Sequence, residues 1–114
     1  MSDITTHILD VSVGRPAAGV KVTLERQNKN GGWETIGSQK TDIDGRARGL
    51  VPRGDELVAT VHRLTYDVEA YFRARKVETF YKEVPIAFVV NDASEHYHVP
   101  LLLSPFGYST YRGS

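Results

Sequence analysis

Apolar residues in this chain return at every second position in short runs, and glycine, proline, asparagine or aspartate cuts each run off. Val20, Val22 and Leu24 alternate with Lys21, Thr23 and Glu25, the period of a strand with one face on a core and the other toward water. Asn30-Gly31-Gly32 is a tight hairpin signal, and Trp33 to Lys40 is the returning strand. Asp42-Ile43-Asp44-Gly45-Arg46 makes another turn, in which Gly45 tolerates a positive φ. Leu57 to Leu64 reads as a strand. So does Phe80 to Val90, with Phe80, Val84, Ile86, Phe88 and Val90 on its core face. Pro85 cannot donate to a ladder, which puts that strand at an edge or on a bulge. Only once does the period change: Val68, Tyr71, Phe72 and Arg75 fall at i, i+3, i+4 and i+7 behind Asp67 as N-cap, a short amphipathic helix laid on the sheet. Asn91 to Ser94 turns the chain into a C-terminal hairpin hinged at Ser104-Pro105-Phe106-Gly107. Short strands, one brief helix and closely spaced turn signals predict an all-β antiparallel sandwich.

The first strand, Ile4 to Val13, is apolar on both parities: Ile4 and Ile8 on one, Leu9, Val11 and Val13 on the other. One face of a small antiparallel sheet normally meets water, so the second apolar face predicts cover by another subunit. The 114 residues make one domain, 1–114, large enough to bury a single core. A formal net charge of zero leaves no electrostatic footprint for nucleic acid or an anionic membrane. The absence of cysteine excludes disulfides, thiolate nucleophiles and zinc–thiolate sites. The start of the chain has neither a basic region nor an apolar one, and no run reaches membrane-spanning length, so the expected location is the cytoplasm.

Candidates for chemistry are few. His96 and His98 stand at i, i+2, on one face of a strand, and with His7 they are a possible three-histidine zinc set, without acidic ligands close by to support it. The plain reading of His7 is a partly buried strand-end histidine. Arg46 and Arg48 leave their turn on the same parity, and Arg48 reads as solvent-facing. The C-terminal stretch is unusual because termini are commonly polar and frayed. Its last four residues, Tyr111-Arg112-Gly113-Ser114, gather a phenol, a guanidinium and a hydroxyl with the chain's own carboxylate.

That tetrapeptide, preceded by His96-Tyr97-His98-Val99-Pro100-Leu101-Leu102-Leu103-Ser104, strongly resembles the 5-hydroxyisourate hydrolases, the transthyretin-like enzymes of urate breakdown. Thr6-His7-Ile8-Leu9-Asp10 resembles the family's N-terminal motif, and Thr41-Asp42-Ile43-Asp44-Gly45-Arg46 its Asp-Gly-Arg turn. The segment Leu64 to Phe72 extends the likeness over nearly the whole chain; Lys82, where proline is common, departs from it outside these motifs. The resemblance implies the transthyretin fold, two four-stranded sheets assembled as a homotetramer with ligand sites between dimers. It implies hydrolysis of 5-hydroxyisourate without cofactor or metal. His7, Arg46, His98 and Ser114 carry over as catalytic, and His7, Arg46, Tyr111, Arg112 and Gly113 as substrate-binding. His7 with Arg46 is the favoured water activator, His98 the partner proton carrier, and the Ser114 carboxylate an orienting group. His62 and His96 receive no role and read as structural or surface residues. Two other functions fit the fold: a carrier that binds a small aromatic ligand without turnover, and an immunoglobulin-like interaction module. Neither needs the histidines or the tetrapeptide.

Overall fold

The computed structural model describes residues 3–114. Two sheets face each other. One contains β1 (Ile4–Asp10), β2 (Arg15–Pro16), β5 (Arg46–Ala47), β8 (Tyr97–Ser104) and β9 (Gly107–Thr110), in the order β2-β1-β8-β9, with β5 sharing the β1 edge used by β2. The other contains β3 (Lys21–Gln27), β4 (Trp33–Lys40), β6 (Val61–Tyr66) and β7 (Val84–Val89), in the order β4-β3-β6-β7. The helix α1 (Val68–Ala74) follows β6, and the Asp67 carboxylate caps it by accepting from the Ala70 amide. Its Val68, Tyr71 and Phe72 are buried, as the helical spacing predicts.

One pairing departs from the antiparallel expectation. β1 and β8 run parallel in unbroken register, from Ile4 opposite Tyr97 to Asp10 opposite Leu103. A parallel pair needs a long crossover, and here the whole second sheet and the helix lie between the two strands in sequence. Three other expectations are corrected. β1 stops at Asp10, and Val11 and Val13 lie in the turn beyond it, 48% and 61% exposed, so they do not extend an apolar outer face. Phe80 is 73% exposed: β7 starts only at Val84, because the preceding segment crosses to the β8–β9 hinge, where the Phe80 amide donates to Pro105 O. β6 likewise begins at Val61, later than the predicted Leu57, and runs on to Tyr66. Pro85 sits on the outermost strand of its sheet, where a missing donor is tolerated.

The core lies between the sheets: Ile4 and Ile8 meet Val22, Leu24, Leu64 and Tyr66 from the second sheet, and Leu101 and Leu103 from β8. Burial alternates strictly along β1, with Thr6 and Asp10 completing the inward row. Both buried polar groups are satisfied. Thr6 Oγ1 donates to Val99 O at 2.6 Å, so the Tyr66 hydroxyl, 2.8 Å away, is the donor to that oxygen. This chain of hydroxyls ties the second sheet to both β1 and β8. Asp10 accepts from the Tyr71 hydroxyl at 2.8 Å, linking the helix to the far end of β1. Burial first, and the Asp10 contact second, push the Tyr71 phenol up to about 12. With its inward row anchored at both ends, β1 holds its outward residues at fixed positions.

Candidate active site

The outward row of β1 is Thr5, His7 and Leu9, all half-buried. Register decides what stands beside them. Arg46 of β5 is opposite His7, and His98 of β8 is opposite Thr5. Beyond β8 the tail adds one more bridge, the Gly113 amide donating to His98 O at 2.8 Å. Four consecutive segments of one sheet face therefore contribute Arg46, Thr5 with His7, His98 and Gly113.

The turn before Arg46 aims it. Asp42 Oδ1 accepts from the amides of both Asp44 and Arg46, at 2.9 and 3.0 Å, and the Arg46 amide is the main reason the Asp42 carboxyl titrates below its usual range. Gly45 stands at φ +76°, and a Cβ there would meet Ile8 O at 2.5 Å, so the turn is pressed against the back of β1. On the other side, a Cβ on Gly113 would meet His98 Cδ2 at 2.6 Å and Pro100 Cγ at 3.0 Å. Glycine lets the tail pass close beside the His98 ring.

These residues border a cleft of about 850 Å³ whose lining includes Thr5, Arg46, His98 and Ser114. His7 lies on the same face, flanking that lining. The far wall is the loop from Arg48 to Asp55, held by Asp3, whose carboxylate accepts from the Gly49 and Val51 amides. Arg48 and Arg53 both line the cleft, with Asp3 and Asp55 as counter-charges. Arg48 is exposed, as the sequence predicts, but neither arginine is placed at the cleft by the sequence reading. The shared parity of Arg46 and Arg48 carried a signal for the first; Arg53 stands in a loop without period and carried none.

His96 also borders the cleft, although sequence reasoning left it without a role. Its Nε2 lies 3.1 Å from Thr5 Oγ1, and the same oxygen lies 2.9 Å from His98 Nδ1. Burial is the main influence holding His98 below the usual histidine range, and the charges of Arg46, His7 and His96 act in the same direction. His62 is a core residue, 1% exposed, its Nδ1 at 3.1 Å from Thr60 O.

Tyr111 and Arg112 are not brought to the Arg46 side within one chain. They line a second, smaller cleft of about 240 Å³ at the sandwich edge, between the tail and Ile86–Val89 of β7, and among the described residues only His98 borders both clefts. Arg112 lies over the Tyr97 ring, 4.5 Å from its centroid, and pairs with Glu95 at 3.2 Å. Tail residues alternate like a strand, so Gly113 faces the His98 ring while its neighbour Arg112 points to the other side. Among the described residues, no group of three histidine, cysteine or acidic side chains is arranged to hold a metal ion.

The family model described as HIUase/Transthyretin matches residues 4–113, nearly the whole chain. The chain belongs to the HIUase/Transthyretin family. A 5-hydroxyisourate hydrolase from Salmonella dublin is 45% identical over 111 residues, covering 97% of this chain and 80% of that protein. The 5-hydroxyisourate hydrolase of Klebsiella pneumoniae has the same fold with a TM-score of 0.85 at 38% identity, each chain covered completely. Sea bream transthyretin in complex with thyroxine superposes with a TM-score of 0.89 at 30% identity, over 96% of this chain and 93% of that one. Backbone likeness across the HIUase/Transthyretin family thus does not separate hydrolase from transthyretin; sequence identity leans toward the hydrolases.

Proposed function

We propose that this protein hydrolyses 5-hydroxyisourate, opening its six-membered ring at a ring amide to give 2-oxo-4-hydroxy-4-carboxy-5-ureidoimidazoline in urate breakdown. The observation that carries the reading is the convergence of Arg46, His98 and Ser114 on one cleft, with His7 paired to Arg46 across β1 and β5. Amide hydrolysis requires a base for water, a stabiliser for the tetrahedral oxyanion and an acid for the departing nitrogen. His7 beside Arg46 activates the water. The Arg46 guanidinium, always charged and planar, binds the polar heterocycle and takes up the developing negative charge. His98 carries the proton to the leaving nitrogen. Ser114 closes the cleft beside it, and Gly113 permits the tail to approach the His98 ring. Arg48 and Arg53 add positive charge to the wall and draw in a partly anionic substrate.

Tyr111 and Arg112 face the other cleft, and their part in substrate binding belongs to the assembled protein. We place the working site between subunits of a homotetramer, where the uncovered outer row of β1 and β8, including Leu9 and Leu102, gains its cover. A transthyretin-type carrier is the competing function. It shares the backbone, but binding without turnover needs none of the histidine, arginine and serine groups gathered here. Oxidising urate in place to 5-hydroxyisourate and following its decay spectroscopically tests the proposal: the protein accelerates the decay. An unchanged decay rate at micromolar protein leaves the carrier.

A further inference from the structure

Thr5 is a threonine between two histidines. Its single hydroxyl lies 2.9 Å from His98 Nδ1 and 3.1 Å from His96 Nε2, contacts made across 93 and 91 positions of sequence by the parallel β1–β8 register. A hydroxyl has one proton and can donate to only one of the two rings while it accepts from the other. The protonation of His98 Nδ1 is thereby coupled to that of His96 Nε2. His96 is exposed and open to solvent; His98 is half-buried.

We infer that His96, Thr5 and His98 form a proton relay, in which Thr5 and His96 are positioning residues that set the tautomer of His98 and supply its proton. The inference rests on the hydrolase reading for its catalytic meaning. In the resting chain His96 Nε2–H donates to Thr5 Oγ1, Thr5 Oγ1–H donates to His98 Nδ1, and His98 therefore holds its own proton at Nε2. As the ring amide of the substrate breaks, the Nε2 proton passes to the departing nitrogen. The Thr5 proton passes to His98 Nδ1, and a proton from cationic His96 replaces it on Thr5. The hydroxyl ends as it began, His98 remains neutral in the opposite tautomer, His96 loses its charge, and the leaving nitrogen is protonated. The reset runs the chain backward, with a proton from solvent taken at Nε2.

The surroundings explain why a relay serves better than a charged His98. Facing it are His7 from β1, Arg46 from β5, His96 from the segment before β8, and Gly113 and Ser114 from the tail. Arg48, Arg53, Asp3 and Asp55 stand across the cleft, and Arg112 lies on the far side of the tail. Burial and the adjacent arginine disfavour an imidazolium at His98. Holding the positive charge on exposed His96 avoids that cost.

The test is nitrogen-15 NMR of the histidine side chains in the full chain, with rates measured on the same preparations. Thr5→Val keeps the β-branched shape of a strand residue and removes only the hydroxyl. The expected result is a changed Nδ1/Nε2 tautomer ratio at His98 and kcat lower by roughly tenfold to a hundredfold, with KM altered by less than about twofold. The alkaline limb of the kcat–pH profile moves by more than about half a pH unit, and Thr5→Ser restores both readouts. His96→Gln, on an exposed side chain, changes the His98 tautomer ratio without touching that ring, and it carries the test if Thr5→Val fails to fold. Wild-type His98 signals and wild-type kcat in the folded Thr5→Val protein overturn the relay, as does a His98 ratio insensitive to His96→Gln. No turnover by the wild-type chain overturns the hydrolase reading instead; the histidine spectra still decide whether the three side chains are coupled.

Discussion

At the scale of single residues, the same amino acid does different work depending on the face it occupies. His98 points outward to a polar cleft and His62 inward to the core, though both sit in strands of alternating pattern. Exchanging His98 for Asn is expected to lower turnover by roughly two to four orders of magnitude, the scale of a lost acid–base group, while the melting temperature hardly moves; measuring both on one sample separates catalysis from folding. His62 has the opposite profile. Burial is the main cause of its lowered affinity for protons, against an ordinary value of 6.5. The unfolded chain therefore binds a proton that the folded chain resists, and stability falls as pH drops below about 6.5, until the folded-state value is passed. Substituting His62 by Leu is expected to flatten the melting temperature between pH 7 and pH 5 relative to wild type. An equally steep dependence in the variant assigns the acid sensitivity to other groups.

At the scale of elements, the turn before β5 and the tail after β9 act as two clamps on the site. Gly45 combines a left-handed φ of +76° with a Cβ position 2.5 Å from Ile8 O. Gly45→Ala adds backbone strain and a clash with β1, a loss of roughly 1–3 kcal/mol, and by tilting Arg46 it lowers kcat/KM as well. Denaturant unfolding and steady-state kinetics read the two effects. Gly113 differs, because its backbone is not in the left-handed region and its burden is contact alone: a Cβ falls 2.6 Å from His98 Cδ2. Gly113→Ala is expected to leave the chemical-denaturation midpoint near wild type and to cut kcat at least about tenfold through displacement of the His98 ring. An active Gly113→Ala protein separates the tail from the site.

At the scale of the molecule, the sheet face that carries the candidate site is uncovered in the single chain and the sandwich has open edges at β7 and β9. Val89 and Tyr111 stand more than half exposed there. The proposed homotetramer would cover these surfaces, and light scattering at micromolar concentration is then expected to return about four times the 12.7 kDa subunit mass. A monodisperse monomer that still turns over 5-hydroxyisourate excludes a site shared between subunits.

Local chemistry was enough to read much of this protein from its residues. Alternation in Val20 to Arg26 and the Asn30-Gly31-Gly32 turn yielded the β3–β4 hairpin, the Asp67 cap and the 3.6-residue period yielded α1, and Asp42 to Arg46 yielded the turn that presents Arg46. These depend on neighbours within a few positions, where propensity and sterics act. The Tyr111 to Ser114 tetrapeptide, His7 and His98 were marked differently, by resemblance to a family, because their candidate roles are not a matter of local propensity. What periodicity cannot encode is which edge meets which across a long loop, since closure entropy and the complete core settle that together. The parallel β1–β8 register, which places Thr5 against His98 and draws His96 into the cleft, was decided there. So was the turn of Arg112 away from the Arg46 cleft and over the Tyr97 ring, and so was the capture of Arg53 by a loop that Asp3 pins from near the start of the chain.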